Sequence, residues 1–354
     1  MEKFTMNDTT IAFIGLGLIG GSLAKGIKKA RPDIRIMAYM RTRSKLEQAK
    51  KDGIVDVILD GIDEQLKQCD LIFLCTPVEY NAQYLSKIRS YLKPGALITD
   101  VGSTKTDIHK EILRQGLTDC FVGGHPMAGS EKTGYENATD HLLENAYYIV
   151  TPPEGFNQNG CGYGDISLKY SENVKRIIAV AQTVGAIPLV LDYKEHDTVV
   201  AAISHLPHLV ASSLVNLVKD SDSPAETMKQ VAAGGFKGIT RIASSSPEMW
   251  EQICMTNSEP IADMLERYID SLQDILSEIK GHQGNAIYKL FEKSRDYRNT
   301  ITDRAKGSVE PSYAFSVDMA DEVGAISTIA VILAAKGISI KNIGINNNRE
   351  RGEG

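Results

Sequence analysis

One histidine of this 354-residue chain lies among glycines, where a side chain has little hydrophobic core to fill. His125 follows two glycines and the apolar pair Phe121 and Val122, which the pattern predicts to be a strand. An imidazole gains or loses a proton near neutral pH, so a histidine just after a strand is a candidate general base. By spacing alone, a loop histidine that bonds a neighbouring carbonyl is an equally good interpretation.

A second group of polar side chains lies inside a long apolar-periodic segment, residues 192–218, which predicts a helix. Ser204 and His208 are four positions apart, so they share one face of that helix. Pro207 lacks a backbone N–H and predicts a kink, and hence a cavity, beside them. His205 and His208 could bind a metal, but the sequence offers no convincing carboxylate or cysteine to complete the site, so we expect none.

Two cations and the sole tryptophan follow in the same half of the chain. Lys237 and Arg241 lie among small residues, and Trp250 follows nine residues after Arg241. In a cleft such cations would bind an anion, and arginine would do so through two parallel hydrogen bonds. The usual alternative is a pair of solvated surface charges.

Near the N-terminus a glycine-rich turn follows an apolar segment, residues 11–14, and precedes a helical pattern. This order is typical of dinucleotide-binding proteins, because glycines let backbone N–H groups approach a pyrophosphate at the helix N-terminus. A turn that serves only helix packing is the alternative. The turn predicts cofactor contacts from Gly15, Gly17, Leu18, Ile19 and Gly20.

The residue after the second predicted strand indicates which dinucleotide binds. An acidic residue at this point holds the ribose 2′-hydroxyl of NAD, whereas a nearby arginine accommodates the 2′-phosphate of NADP. This chain has Met40 followed by Arg41. NADP therefore stands beside NAD as a predicted cofactor, and the alternative is that Arg41 merely stacks on adenine.

Short apolar segments alternate with helical patterns from residue 11 to residue 191, and helical patterns follow. The alternation predicts an α/β fold, a Rossmann-like doubly wound parallel sheet, followed by an all-helical domain. Ligands of such sheets bind beyond the carboxyl ends of the strands. Thr76, Pro77 and Ser103 follow predicted strands, so they join the candidate cofactor contacts. The glycine-rich residues 155–164 predict a surface loop.

We predict three regions: a dinucleotide-binding domain over residues 1–192, a helical domain over 193–308, and a partial α+β segment over 312–354. The last region has a strand, helix, strand pattern at residues 313–319, 324–336 and 338–345. A unit of this size would leave exposed sheet edges, so we interpret it as half of a small α+β module.

Composition excludes several classes of protein. The 39 basic and 45 acidic residues leave a formal charge of −6 without a long basic run, so we expect no nucleic-acid partner. Five cysteines, an odd number without a C-x-x-C pair, disfavour a disulfide framework and a zinc knuckle. The apolar stretch 11–24 lacks a basic flank and contains the glycine turn, so we expect a cytoplasmic protein without a membrane partner.

Together these motifs resemble prephenate dehydrogenase, the oxidoreductase family of tyrosine biosynthesis, over nearly the whole chain. The resemblance rests on the glycine turn and on the segments D-V-G-S-T-K at 100–105, G-G-H-P-M-A-G-S at 123–130, E-H-D at 195–197, I-S-H-L-P-H at 203–208 and T-R-I-A-S-S-S-P at 240–247. It implies a helical domain through which two chains dimerise. Members of this family often have a C-terminal ACT domain that senses amino acids. In this chain the ACT-like pattern stops after its second strand.

The resemblance also implies roles for individual residues. His125 would bond the C4 hydroxyl of prephenate as the base, Ser103 would bond the same hydroxyl and help to order His125, and Arg241 would pair with the ring carboxylate. NAD is the expected cofactor, and tyrosine is a candidate effector of the tail. Further substrate contacts are implied for Ser130, Glu131, Ser204, His208, Lys237 and Trp250.

Three other functions stay open on the sequence. Arogenate dehydrogenase acts on a substrate that differs only by an amino in place of a keto group on the side chain. β-Hydroxyacid dehydrogenases share the domain plan but usually rely on a lysine, whereas this chain has the histidine segment and the kinked helix. A non-catalytic amino-acid sensor would keep a relict nucleotide site and the tail, where residues 321–324 resemble the ligand loop of ACT domains.

Overall fold

The structure is a computed structural model that describes residues 9–129, 132–153, 171–301, 317, 322, 324–338 and 340. The chain divides into two compact units, Met1–Val309 and Glu310–Gly354. Ser130, Glu131, the predicted surface loop and most of the predicted α+β segment lie outside the described residues.

The first sheet is parallel. Its strands are β1 (Thr10–Ile14), β2 (Arg35–Tyr39), β3 (Val57–Ile58), β4 (Leu71–Leu74) and β5 (Leu97–Asp100). They lie in the order β3-β2-β1-β4-β5. The direction of the winding reverses between β1 and β4, so the crevice for a ligand opens at the carboxyl ends of these two strands.

Helices cover both faces of this sheet, so its central strands are buried on both sides. They are α1 (Leu18–Ala30), α2 (Arg43–Lys51), α3 (Asn81–Ile88), α4 (Thr106–Gln115) and α5 (Glu172–Thr183). One apolar cluster joins α1 and α5 to the sheet and contains Phe13 and Phe73, whose ring centroids are 4.9 Å apart. The other joins α3 and α4 to the opposite face. The prediction of a doubly wound parallel sheet is confirmed.

A second sheet carries the candidate base. Its strands are β6 (Gly123–Pro126), β7 (Tyr147–Thr151) and β8 (Ile187–Val190). Here β7 runs antiparallel to β6 and parallel to β8, a mixed pairing that the sequence did not indicate.

The strand predicted at Phe121 and Val122 forms two residues later. Phe121 makes only an isolated bridge to Ile98, and the ladder begins at Gly123. A Cβ on Gly123 would lie 2.2 Å from Thr151 Oγ1, so only glycine lets β6 approach β7 this closely. His125 therefore lies within a strand rather than in a loop.

The rest of the first unit is helical, as predicted. Its helices are α6 (Tyr193–Val200), α7 (Leu206–Ser221), α8 (Thr227–Val231), α9 (Gly234–Thr240), α10 (Pro247–Thr256), α11 (Ser258–Lys280) and α12 (Gly284–Thr300). The Asp192 side chain caps α6 by accepting from the N–H groups of Lys194 and Glu195. Between α6 and α7 the backbone forms a π-helical turn, Ala201–His205. This irregular turn lies just before Pro207, where the sequence predicted a kink.

The helical run Tyr193–Ser221 is long and apolar enough to cross a membrane by length and composition alone, with a mean hydropathy of 1.5. A core or interface helix meets the same two criteria. Only 22% of its most apolar window is buried, and Ile203 and Leu217 are 63% and 62% exposed. This run therefore offers an apolar face for burial against another surface.

In the second unit the structure describes one helix of the predicted module, α13 (Ala325–Ala335), which follows Gly324 at φ 95°. It confirms the predicted helical segment. The strands predicted at 313–319 and 338–345 lie almost entirely outside the described residues, so an ACT-like fold stays a prediction.

Candidate active site

The glycine turn joins β1 to α1 and leaves the N-terminus of α1 open. Gly15 has φ +94°, which favours glycine, and a Cβ there would lie 2.5 Å from the carbonyl oxygen of Cys75. By contrast, a Cβ added to Gly17 would have no atom within 4 Å. Gly17 is the N-cap residue of α1, so no side chain caps the first N–H groups of this helix. The space beside Gly17 and the uncapped N–H groups of α1 fit the pyrophosphate of a dinucleotide.

The end of β2 presents a cation. Met40 is half-buried and packs against the core, while Arg41 is exposed with its guanidinium 5.4 Å from the centroid of the Tyr80 ring. Arg43 is already paired with Asp60. Arg41 is therefore the arginine at this strand end that is suited to the ribose side of a dinucleotide.

Thr76 and Pro77 follow β4 next to the glycine turn, since a Cβ on Gly15 would lie 3.2 Å from Thr76 Cγ2. The Thr76 hydroxyl donates to Asn81 Oδ1 at 3.0 Å. Among the described residues, the buried Asn81 Nδ2 has no hydrogen-bond partner, so it is a donor that a cofactor could use. Sequence reasoning missed Asn81, and its position just after the Thr76 and Pro77 turn is the signal that could have found it.

The His125 ring is hydrogen-bonded to a second histidine, and that histidine to a carboxylate. His125 Nδ1 lies 2.8 Å from His196 Nε2, and His196 Nδ1 lies 2.8 Å from Asp197 Oδ1. An ionised carboxylate only accepts, so His196 carries its proton on Nδ1 and accepts on Nε2. His125 then donates from Nδ1, and its Nε2 is left with a lone pair, the arrangement that a general base requires.

Asp197 is held in turn by the N-terminus of α4. Its Oδ1 accepts from the backbone N–H of Lys105 at 2.8 Å, and its Oδ2 accepts from that of Thr106 at 2.7 Å. Burial raises the pKa of the Asp197 carboxyl, but hydrogen bonds from His196 and Thr106 outweigh burial and bring the pKa below its usual value. Asp197 is therefore ionised, as the proton positions on the two histidines require.

A fully buried ion pair between Lys105 and Asp100 supports this arrangement. Lys105 Nζ also donates to the carbonyl oxygen of Gly124 at 2.7 Å, and Asp100 accepts from the backbone N–H of Gly102 at 2.9 Å and of Gly124 at 3.2 Å. Burial lowers the pKa of Lys105, and the Asp100 carboxylate opposes that shift. The pair therefore ties the turn after β5 to β6.

Three histidines of this cluster are neutral at neutral pH. Burial lowers the pKa of His125 well below its usual value, and the neighbouring His196 and Lys105 add to the effect. Burial also lowers the pKa of His196, and it lowers that of His205 to about 4. His125 is therefore neutral at the start of the reaction, and its Nε2 can accept a proton directly.

The π-helical turn links the cluster to the tryptophan. Asn257 Nδ2 donates to the backbone oxygen of Asp197 at 2.9 Å and lies 3.1 Å from His205 Nδ1. Trp250 stacks on His208 with centroids 3.8 Å apart and meets His205 edge-on at 5.9 Å. In the described part of the chain the buried Trp250 Nε1–H has no hydrogen-bond partner, so it is available to an oxygen of a ligand.

Arg241 begins a short 3₁₀ turn after α9 and is exposed. Its charge lies close enough to His208 to add to the lowering of that pKa, which burial dominates. Ser204 is half-buried in the π-helical turn, and its carbonyl oxygen accepts from His208 Nδ1 at 2.8 Å. Lys237 is exposed on α9, one turn before Arg241.

Ser103 is half-buried in the turn after β5. The His125 ring is oriented by the hydrogen bond that it donates to His196, whereas the resemblance had implied that Ser103 would help to order His125. Sequence reasoning quoted His196 and Asp197 in the E-H-D segment but gave them no role. Within the described ranges, no cluster of three or more His, Cys, Asp or Glu could hold a metal ion.

Comparison with known proteins identifies relatives along most of the chain. Family models match for the prephenate dehydrogenase nucleotide-binding domain over residues 23–160 and for its dimerization domain over 192–293. Prephenate dehydrogenase of Bacillus subtilis (strain 168) is 37% identical, covering 96% of this chain and 89% of its own.

Two solved structures show the same fold. Prephenate dehydrogenase from Aquifex aeolicus, in complex with hydroxyphenyl propionate and NAD+, has a TM-score of 0.74 at 28% identity, covering 83% of this chain and 98% of its own. Arogenate dehydrogenase from Synechocystis has a TM-score of 0.71 at 28% identity, covering 82% and 99%. The fold thus recurs in enzymes named for two closely related substrates.

The buried ion pair can be tested by stability. Lys105→Met should lower the free energy of unfolding by about 3–5 kcal/mol, because it leaves the Asp100 carboxylate buried without its partner. Lys110→Met, on the exposed side of α4, is the matched control and should change it by less than about 0.5 kcal/mol. Urea unfolding measures both, and equal stabilities of the two variants would contradict the role of the pair.

The glycine turn can be tested by separating binding from stability. Gly17→Ala should leave the unfolding free energy within about 0.5 kcal/mol of the parent, yet weaken dinucleotide binding by about tenfold, because its methyl group would occupy the place of the pyrophosphate. Gly15→Ala should instead destabilise the fold by about 1–3 kcal/mol. Calorimetric titration with NAD and urea unfolding measure the two effects. Normal NAD binding by Gly17→Ala would exclude this turn as the pyrophosphate site.

Proposed function

The chain belongs to the prephenate dehydrogenase family, and from that premise we propose that it catalyses the oxidative decarboxylation of prephenate to 4-hydroxyphenylpyruvate. A nicotinamide dinucleotide, when bound, supplies the acceptor for the hydride that leaves C4 of the ring. The observation that carries the proposal is the open Nε2 of a neutral His125, oriented by buried His196 and Asp197.

His125 accepts the proton of the C4 hydroxyl through Nε2, and Ser103 bonds the same hydroxyl. As the proton and the hydride leave, C4 becomes a carbonyl that is conjugated towards the carbon bearing the ring carboxylate. That carbonyl accepts the electrons released when CO2 departs, and aromatisation makes the step effectively irreversible. The protein therefore needs a base, an anion-binding group and accurate positioning.

Arg241 is the proposed partner of the ring carboxylate. Support comes from the row of contacting side chains that runs from His205 through Trp250 to His208, beside which the Arg241 charge lies. The buried indole N–H of Trp250 is suited to an oxygen of the keto-acid side chain. Contacts from Ser204, His208 and Lys237 complete the proposed pocket, and those from Ser130 and Glu131 stay predictions from the sequence.

NAD is the proposed oxidant, and NADP a weaker alternative. The Aquifex aeolicus relative was solved with NAD+, which supports NAD. The cation at the end of β2, Arg41, supports acceptance of a 2′-phosphate.

We further propose that two copies of the chain dimerise through the helical domain. Leu272, Leu276 and Ile279 lie on one face of α11 and are 45%, 50% and 57% exposed. Ile203 and Leu217, on the preceding helical run, are also exposed apolar side chains. A monomer would leave these side chains in water. A cytoplasmic location belongs to the same proposal, and an effect of tyrosine through the tail stays a prediction from the sequence.

Arogenate dehydrogenase is the second candidate function, favoured by the similarity to the Synechocystis enzyme. The two substrates differ in whether the side chain carries a keto oxygen or an ammonium group. Trp250 Nε1–H can only donate, which favours the keto acid, whereas neutral His208, bonded through Nδ1 to a carbonyl, has an Nε2 that could accept from an ammonium. We rank prephenate first because the Bacillus subtilis relative, 37% identical over 96% of this chain, is named for it.

Turnover with prephenate and with arogenate, each under NAD and NADP, tests substrate and cofactor. We expect the highest kcat/KM for prephenate with NAD, followed by absorbance of the reduced nicotinamide. Arg41→Ala should raise the KM for NADP by about tenfold more than that for NAD, because it removes the charge facing the 2′-phosphate. A preference for arogenate would replace the substrate assignment, and equal effects of Arg41→Ala on both dinucleotides would remove Arg41 from the site.

The base and the anion-binding group should respond differently to substitution. His125→Asn should lower kcat by about 10²- to 10⁴-fold with a smaller change in KM, because it removes proton acceptance in the transition state. Arg241→Ala should chiefly raise the KM for prephenate, because the carboxylate is bound in both ground and transition states. Near-normal kcat in His125→Asn would refute the base, and an unchanged KM in Arg241→Ala would remove Arg241 from the pocket.

A further inference from the structure

We propose that His196 takes up a proton in every turnover. As His125 Nε2 receives the hydroxyl proton of the substrate, the proton on His125 Nδ1 moves to His196 Nε2, and the positive charge comes to rest beside the Asp197 carboxylate. This inference rests on the proposed function and adds a proton relay behind its base. His196 is a positioning residue in this scheme, because it acts on the substrate only through His125.

The geometry supplies a hydrogen bond at each transfer. The 2.8 Å contact between His125 Nδ1 and His196 Nε2 has a proton on the first nitrogen and a lone pair on the second. The next contact, also 2.8 Å, joins His196 Nδ1–H to Asp197 Oδ1. His196 and Asp197 are both 0% exposed, so water does not compete for either bond.

The surroundings favour the charge on His196 over His125. His125 has no carboxylate in direct hydrogen-bond contact among the described residues, whereas the His196 ring bonds Asp197 directly. The Lys105 cation disfavours positive charge on either ring, but its ion pair with Asp100 offsets it, and Asp100 favours a charged His196. The titratable groups that face these two rings are Asp100, Lys105, His109, Asp197 and His205.

Every bond in the relay is accounted for. The substrate O–H bond breaks as the His125 Nε2–H bond forms, and the His125 Nδ1–H bond breaks as the His196 Nε2–H bond forms. His196 is then an imidazolium that donates to Asp197 and to His125. After the product leaves, the proton on His196 Nε2 returns to His125 Nδ1, and the proton on His125 Nε2 passes to water.

His196→Gln separates the relay from mere orientation. The amide oxygen of glutamine is able to accept from His125 Nδ1–H and keep the base oriented, but it takes up no proton. Single-turnover reduction of NAD by prephenate should slow by about 10²-fold with the KM for prephenate nearly unchanged. Rates in mixtures of H2O and D2O should give a curved plot for the parent, with two protons in motion, and a straight one for His196→Gln.

His141→Gln is the matched control. His141 forms the same type of contact, Nδ1 to Asp140 Oδ1 at 2.9 Å, but is exposed and outside the site. It should keep the parent rate and the curved plot. A parent-like rate and plot in His196→Gln would overturn the relay, whereas failure of the unmodified protein to oxidise prephenate would overturn the proposed function itself.

A second measurement needs no substrate and no change at His196. Long-range nitrogen–hydrogen NMR spectra of the histidine-labelled protein report which ring nitrogen carries the proton, and His125→Asn assigns the neighbouring signals. We expect the Nδ1–H form for both His125 and His196. An Nε2–H form of His196 would overturn the relay, because its Nε2 would then be unable to accept a proton from His125.

Discussion

The carboxylate of Asp197 is the contact on which the candidate site depends. Asp197 lies on α6, in the helical part of the chain. Its carboxylate accepts hydrogen bonds from two backbone N–H groups at the N-terminus of α4, which packs against the parallel sheet. The same carboxylate orients His196 and, through it, His125. One buried charge thus joins the two domains and sets the protonation of the base, so the docking of the domains and the competence of the site are a single physical condition.

Burying several charges so close together is unfavourable unless each has partners, and the structure supplies them. Asp100 and Lys105 neutralise each other and bond three backbone groups of the turn after β5 and of β6. This close packing requires glycine at position 124, because a Cβ there would lie 2.8 Å from the Asp100 carbonyl oxygen and from the Tyr148 hydroxyl oxygen. The glycines beside His125 therefore serve close packing around an ion pair, whereas the sequence pattern had indicated a loop.

Local patterns predicted much of this molecule because the physics behind them is local. The strand, glycine turn and helix at Gly15 follow from backbone conformation, and the apolar segment 11–14 located β1 to within a residue. Such reasoning failed where the partner is distant in sequence. The antiparallel pairing of β6 with β7 and the hydrogen bond between His125 and His196, 71 residues apart, left no periodicity to detect.

The sequence by itself determined the class of fold, the dinucleotide turn and the family to which the histidine and arginine segments belong, since these depend on residue types at short fixed spacings. Only the tertiary structure decided which nitrogen of His125 is free to act. That choice depends on a carboxylate from another domain and on the helix N-terminus that keeps it ionised. A proton's position on a ring is set by what the ring touches, and contacts across a domain boundary exist only once the chain has folded.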